Sequence, residues 1–337
     1  MKILITGVHG FVGSNLVEAM KEEHTIYGLD IVNPIKEGVR YTFSWDDLDN
    51  ETMIPEVDAI IHLAGKAHDV KNKSAADVYF KVNTGLTQKI FDWYLAHPTA
   101  KKFVFFSTAK AAADRVEGEF LTEDVVPAPV GPYGESKIKA ENYIISRFKQ
   151  FNGLSSLRED ALEPLEQLEH LKPTSKDVYI LRPCMIHGPG NKGNLNLLYG
   201  VVSKRIPWPL GAFENRRSFT SIGNLQEVIK GLLVKEVPSG IYNMGDDEAL
   251  STNELIEVIC SALGKKAHIW NIPRGLMNGV AKIGDVLHLP LNTQRMQKLT
   301  ENYVVSNAKI KAALGMKEMP VRAKDGLRET IRSFAIK

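Results

Sequence analysis

The segment Tyr133-Gly134-Glu135-Ser136-Lys137 puts a phenol and an ammonium four residues apart. On a helix that spacing places both on one face. A phenol with a pKa of ~10 is a poor base at neutral pH, but a neighbouring cation favours its phenolate and makes the pair usable for acid/base work. Tyrosine and lysine are common on helices, so the spacing alone also describes a solvated surface pair. Its surroundings decide. Upstream, the apolar run Phe103 to Phe106 leads to Ser107-Thr108. Those two residues fall at the carboxyl end of a strand, where open α/β sheets bind ligands. Thr108 is therefore a candidate to hydrogen-bond a reacting oxygen.

A second constellation opens the chain. The run Lys2 to Thr6 enters Gly7-Val8-His9-Gly10-Phe11-Val12-Gly13 and then a helix-like stretch. In a dinucleotide cradle one glycine turns the chain sharply, a second lets backbone approach a pyrophosphate, and a third lets the helix lie close to the strand. The helix N-terminus adds free N–H groups and a positive dipole end. Asp30 follows at the end of the next strand, near the ~20-residue offset of a ribose-binding acid. Its charge would repel a 2′-phosphate, so NAD is expected rather than NADP. Asp46 and Asp47 lie in a loop that suits either an adenine contact or plain solvation.

The elements that must position these groups can be read from periodicity. Short apolar runs at 2–6, 25–30, 59–63, 103–108 and 178–182 alternate with helical patterns at 12–22, 82–96 and 134–149. That alternation predicts an α/β fold with a doubly wound parallel sheet. After Arg182 the chain turns to Pro and Gly punctuation, "RPCMIHGPGNKGN" and "RIPWPLG", read as loops over the carboxyl edge of the sheet. Residues 251–337 read as helices that complete a smaller, mainly helical C-terminal substrate-binding lobe. The expected division is 1–182 with 218–247 for the dinucleotide domain, and 183–217 with 248–337 for the lobe. The acidic stretch 157–171, with leucines at 157, 162, 165, 168 and 171, is read as a surface insertion packing on its own domain.

Composition excludes several classes. A net charge of +2 from 42 basic and 40 acidic residues advertises no nucleic-acid or membrane surface. Cys184 and Cys260 are too few for a disulfide scaffold, and no metal-ligand spacing is present, so no metal is expected. A start in a strand pattern and no bilayer-length apolar run suggest a cytoplasmic protein without a membrane partner. His62 and His187 read as core or loop-ordering residues, and Cys184 as a small core or loop residue.

"TGVHGFVGSNL", "HLAG", Asn83 in "VNTG", "FFSTAK", "YGESKIKAE" and "LRPCMIHGPG" together resemble extended short-chain dehydrogenase/reductases, which are built on a Rossmann-type sheet. "PLGAFENRRSFTSIGNL", "IYNMGDDEALSTNELIEVI" and "SNAKIKAALG" resemble the branch containing nucleotide-sugar 4-epimerases and 4-ketoreductases. The resemblance implies that Thr108, Tyr133 and Lys137 are catalytic. It gives Gly7, Gly10, Phe11, Val12, Gly13, Asp30, Leu63, Ala64 and Asn83, with Tyr133 and Lys137, to the cofactor, although Asn83 also suits a buried helix cap. Arg217 takes the position of an arginine that holds the substrate diphosphate, with Arg216 and Lys192 as further cations. Asn194 and the 206–211 segment fall near the nucleotide. A homodimer is implied through the helices at 82–96 and 134–149.

Related 4,6-dehydratases carry Asp-Glu immediately after the threonine, for C5 deprotonation. Here Ala109 and Lys110 stand there, and Ala111, Ala112 and Ala113 replace a frequent tyrosine. The expected reaction is therefore NAD-dependent 4-epimerisation of a UDP-hexose or UDP-N-acetylhexosamine through a transient 4-keto sugar. An NAD(P)H-dependent nucleotide-4-keto-sugar reductase is the alternative, since it uses the same residues for half of that cycle. A non-catalytic dinucleotide sensor is a further alternative, and the presence of Thr108, Tyr133 and Lys137 together argues against it.

Overall fold

The computed structural model describes residues 1–50, 53–66, 75–153, 176–191, 193–287 and 291–335. The acidic 157–171 stretch and Lys192 lie outside the described residues. The chain opens with β1 (Lys2–Thr6), α1 (Phe11–Met20), β2 (Thr25–Leu29), β3 (Val39–Phe43) and β4 (Ala59–His62). Next come α2 (Ala76–Tyr79), a π-helical turn at Phe80–Gly85, α3 (Leu86–Ala96), β5 (Lys102–Phe106), the single turn α4 (Ala109–Ala112) and α5 (Pro132–Phe151). The second half runs β6 (Asp177–Pro183), β7 (Met185–His187), α6 (Asn194–Ser203), β8 (Phe219–Ser221), α7 (Ile222–Val234) and β9 (Gly240–Met244). It ends with α8 (Thr252–Ala262), α9 (Arg274–Leu287), α10 (Thr293–Thr300), α11 (Ala308–Leu314) and α12 (Ala323–Ala335).

Among the described residues, seven strands form one parallel sheet in the order β3-β2-β1-β4-β5-β6-β9. Both faces are covered, which explains why the strands read as unbroken apolar runs rather than alternating ones. Successive side chains simply enter different cores. Ile3, Ile5, Val104, Phe106, Tyr179 and Leu181 join α1 and α7 on one face. Leu4, Phe103, Phe105, Val178 and Ile180 join α3 and α5 on the other. The strand order reverses between β1 and β4, and the loops after β1, β4 and β5 open on that crevice.

The smaller lobe has its own core, built from α6, α8, α9, α10 and α12 around Leu195, Trp208, Leu255, Ile259, Met277, Met296 and Leu327. Trp208 and Leu210 of the "IPWPLG" segment are buried in that core. β7 and β8 form a small two-stranded sheet at its base. α11 departs from the expected division. Its Ile310 and Leu314 pack with β9 and α7 on the first face of the large sheet, so this part of 248–337 shares the core of the dinucleotide layer.

Candidate functional site

The glycine loop is shaped by steric necessity. Gly7 has φ +70°, and a Cβ there would stand 3.0 Å from the Ala64 nitrogen. A Cβ on Gly13 would stand 2.4 Å from the Gly7 carbonyl oxygen, closer than atoms tolerate, so α1 rests directly on the turn. Gly10 donates its N–H to Gly7 O at 3.0 Å and begins α1 without a side-chain cap. The positive end of α1, starting at Phe11 and Val12, is thus left to an anion. At the end of β2 the Asp30 carboxylate accepts from the backbone N–H groups of His9, at 3.1 Å, and Ile31, at 2.8 Å. It is tied to the glycine loop itself. Asp47, by contrast, caps a short 3₁₀ turn by accepting from Ser44 N at 2.7 Å, the structural role for that loop acid.

Leu63 and Ala64 form the floor beside this loop, and a chain of hydrogen bonds with one consistent proton order fixes them. The Thr87 hydroxyl donates to Asn83 O at 2.7 Å, so it accepts from His62 Nε2 at 2.8 Å. His62 Nδ1 is then an acceptor for the Thr6 hydroxyl at 2.6 Å. Thr6 Oγ1 in turn accepts from the N–H groups of Leu63, at 3.1 Å, and Ala64, at 2.9 Å. The tautomer is assigned from this network. Burial holds the His62 pKa well below its usual value, with the Lys137 charge adding to the effect, so the ring is neutral. His62 orders the site from below, as its sequence position suggested.

Asn83 lies inside the π-helical turn, not at a helix N-terminus. Its Oδ1 accepts from Lys66 N at 2.7 Å, and its Nδ2 donates to Ser136 Oγ at 2.9 Å. It clamps the loop after β4 to α5. Extra turns of this kind re-aim side chains, and they occur often at functional sites.

α5 carries the reactive pair. Gly134 permits its approach, since a Cβ there would lie 2.7 Å from Lys110 O. Thr108 follows β5, caps α4 by accepting from Lys110 N, and hydrogen-bonds the Tyr133 hydroxyl. Burial raises the Tyr133 pKa, and the bond to Thr108 opposes that rise. Lys137 was expected to favour the phenolate directly. Instead its ammonium donates to Phe106 O at 2.8 Å and lies 4.9 Å from the centre of the Phe105 ring. Burial lowers its pKa to about 8, with Glu141 acting in the opposite direction. One turn further along α5, Glu141 accepts the Ser107 hydroxyl and both Nε and Nη2 of Arg182, the latter at 2.6 Å. This buried ion pair locks β5, β6 and α5 together immediately behind the reactive residues. Neither residue was singled out in the sequence.

The opposite wall is built from distant segments. Ala109 is buried, and Lys110 donates to Asp114 O at 2.6 Å while lying 4.2 Å from the centre of the Tyr303 ring. Tyr303 donates its hydroxyl to Ala113 O at 2.8 Å, filling the wall where the three alanines left the sequence without a side chain. Arg217 interacts with Glu301, Tyr303 and Cys184, and its Nη1 donates to Lys298 O at 2.6 Å. Arg216 is exposed and reaches Ala249 O at 3.2 Å. Neighbouring side chains of an extended segment project oppositely, so the structure does not bring the two arginines together. Asn194 begins α6. His187 is buried against Thr330, at 2.9 Å, and away from the cleft. Burial pushes the Cys184 thiol up. Lys36 was not anticipated. Its ammonium donates to Ser14 Oγ at 2.6 Å and interacts with Asp30, placing a cation beside the acid at the end of β2.

These groups can seat a dinucleotide across β1 and β4 and pass a proton between Tyr133 and an alcohol or ketone. The chain is 28% identical over 360 residues to a UDP-glucose 4-epimerase of Vibrio cholerae, covering 98% of this chain and 95% of that protein. It is 26% identical to the N-acetyl-alpha-D-glucosaminyl-diphospho-ditrans,octacis-undecaprenol 4-epimerase of Escherichia coli O157:H7, covering 92% and 84%. The fold matches the crystal structure of UDP-glucuronic acid 4-epimerase from Bacillus cereus in complex with NAD, with a TM-score of 0.71, 20% identity, and coverage of 100% and 99%. Residues 3–245 match the profile of the NAD dependent epimerase/dehydratase family, and the chain belongs to that family of enzymes.

Proposed function

We propose that this chain is an NAD-dependent nucleotide-sugar 4-epimerase acting on a UDP-hexose or UDP-N-acetylhexosamine. One observation carries the reading: Thr108, Tyr133 and Lys137 converge at the carboxyl edge of the sheet, while Ala109 and Lys110 stand where C5 deprotonation would require carboxylates. The residues fit NAD because a side chain on Gly7 or Gly13 would fill the cradle, and Asp30 disfavours a 2′-phosphate. Gly10, Phe11, Val12, Leu63, Ala64 and Asn83 complete the seat, and Lys36 adds a contact near the adenosine ribose.

When bound, NAD supplies a hydride acceptor that later becomes the donor. Tyr133 removes the proton of the sugar 4-hydroxyl, and Thr108 orients that oxygen. After oxidation at C4 and turnover of the 4-keto sugar, Tyr133 would return the proton to the 4-oxygen as the other face is reduced. Lys137, its ammonium fixed on Phe106 O, would hold the nicotinamide ribose. Arg217 holds the diphosphate, with Arg216, Lys192 and Asn194 as outer contacts.

The test is to incubate the purified protein with UDP-hexoses and UDP-N-acetylhexosamines, with and without NADH, and to resolve the products. Interconversion without NADH consumption is expected. Turnover restricted to 4-keto sugars with stoichiometric NADH consumption would assign the reductase instead. A homodimer through α3 and α5 and a cytoplasmic location belong to the same proposal. No helix among the described residues is long and apolar enough to cross a membrane.

A further inference from the structure

Five of the twenty large hydrophobic side chains that stand exposed among the described residues lie on one helix, α9. Leu276, Val280, Ile283 and Leu287 recur at four, three and four residues and form a continuous solvent-facing stripe, with Val286 beside it. Their exposure runs from 40% to 76%. The helix already buries a different face, through Met277, Ala281 and Gly284, into the lobe core. Scattered exposed apolar residues are ordinary, but a whole second stripe is not. Trp270, 55% exposed, precedes the helix.

The charge around this stripe is as uneven as its hydropathy. Between Val258 and Thr300 the chain has Lys265, Lys266, Arg274, Lys282, Arg295 and Lys298 against a single acid, Asp285. The segment thus holds six of the 42 basic residues and one of the 40 acidic ones, and the remainder of the chain is net acidic. Asp285 is itself engaged, accepting from the Thr293 N–H at 3.0 Å. The near-neutral total therefore conceals a basic stretch, of which Lys282 lies on α9 and Arg295 and Lys298 stand exposed on α10, which packs against α9.

We propose that α9 docks this protein on an anionic phospholipid surface, its apolar stripe entering the headgroup boundary and Lys282, Arg295 and Lys298 beside it meeting the lipid phosphates. An apolar stripe, an interfacial tryptophan and flanking cations are the features by which helices lie in the plane of a bilayer without spanning it. The surface connects with the sugar side of the cleft. α10 packs on α9, and its Lys298 carbonyl accepts the Arg217 guanidinium. The inference stands apart from the epimerase reading, because α9 contributes nothing to the reactive residues.

The test is co-sedimentation of the full-length, NAD-loaded protein with phosphatidylcholine vesicles and with vesicles containing phosphatidylglycerol. The comparison variant is Val280→Asp/Ile283→Asp, at positions that are exposed in the folded chain. The wild type should pellet with the anionic vesicles, less so with neutral ones or at high salt. The variant should lose this binding by about tenfold or more while keeping its thermal transition and its turnover of soluble nucleotide sugar. Failure of the wild type to bind anionic vesicles at low salt would overturn the proposal, as would equal binding by the variant. An oligomer that the double substitution dissociates would assign the face to a second copy of the chain and overturn it equally.

Discussion

On the cofactor side of the cleft each backbone turn is fixed by a contact to its neighbour: Gly13 against Gly7, Ala64 against Thr6, Thr6 against His62, His62 against Thr87. On the sugar side, Tyr303 reaches a carbonyl 190 residues earlier in the chain and Arg217 one that is 81 residues later. The first wall is made where short strand-to-helix connections meet, so local geometry determines it. The second is assembled from loops and helices that the sheet merely carries. Under the proposed function, the chemistry common to dinucleotide enzymes belongs to the rigid wall and the choice of sugar to the assembled one. Substitutions on the two sides should therefore fail in different ways.

The largest effect is expected at the junction of the walls. Tyr133→Phe removes the group that moves the proton and should lower kcat by about 10²–10⁴ while NAD binding, followed by fluorescence titration, stays unchanged. Lost NAD binding would mean that the ring serves the seat more than the reaction. On the rigid wall, Gly13→Ala must displace backbone, since its Cβ would meet the Gly7 oxygen at 2.4 Å. It should cost roughly 1–3 kcal/mol in urea denaturation, in the manner of an overpacked core, and should weaken NAD together with stability.

The pH dependence of cofactor binding separates the walls further. With its pKa lowered to about 8, Lys137 is charged below that value and neutral above it. NAD affinity should fall as pH rises through about 8, and Lys137→Met should bind weakly at every pH. A wild-type affinity that is flat across this range would remove the ammonium from the ribose. His62 acts in acid. Its folded pKa is depressed, so the unfolded chain takes up the proton first, and stability should drop as pH falls below the usual histidine range. The smallest effect is expected on the assembled wall. Arg217→Ala should raise the KM for the nucleotide sugar about tenfold, leaving NAD unaffected. Arg216→Ala, exposed and turned to Ala249, should change it far less.

The same contrast governs what the sequence made legible. β1, β2, β4, β5 and β6 were readable because strands buried on both faces are unbroken apolar runs, and the glycine loop because sterics permit little else there. β3 escaped because it is an edge strand with Arg40 and Tyr41 exposed, and β9 because Gly240 and Asn243 interrupt its pattern. The second part of the π-helical turn Phe80–Gly85 falls inside the helix expected over 82–96, since one extra residue per turn leaves no mark over so short a stretch. Tyr303, Lys36, Glu141 and Arg182 became part of the site only through long-range contacts, which no local periodicity records. The basic stretch around α9 was hidden by averaging charge over the whole chain.

The most direct test of the central claim is the fate of hydrogen at C4. The enzyme should be given a UDP-hexose deuterated at C4, without added NADH, and its products examined by mass spectrometry and NMR. Tyr133-driven hydride transfer through a 4-keto sugar predicts a 4-epimer that keeps its deuterium, with no net consumption of cofactor. Exchange of that deuterium with solvent, or no product until a 4-keto sugar and stoichiometric NADH are supplied, would contradict it.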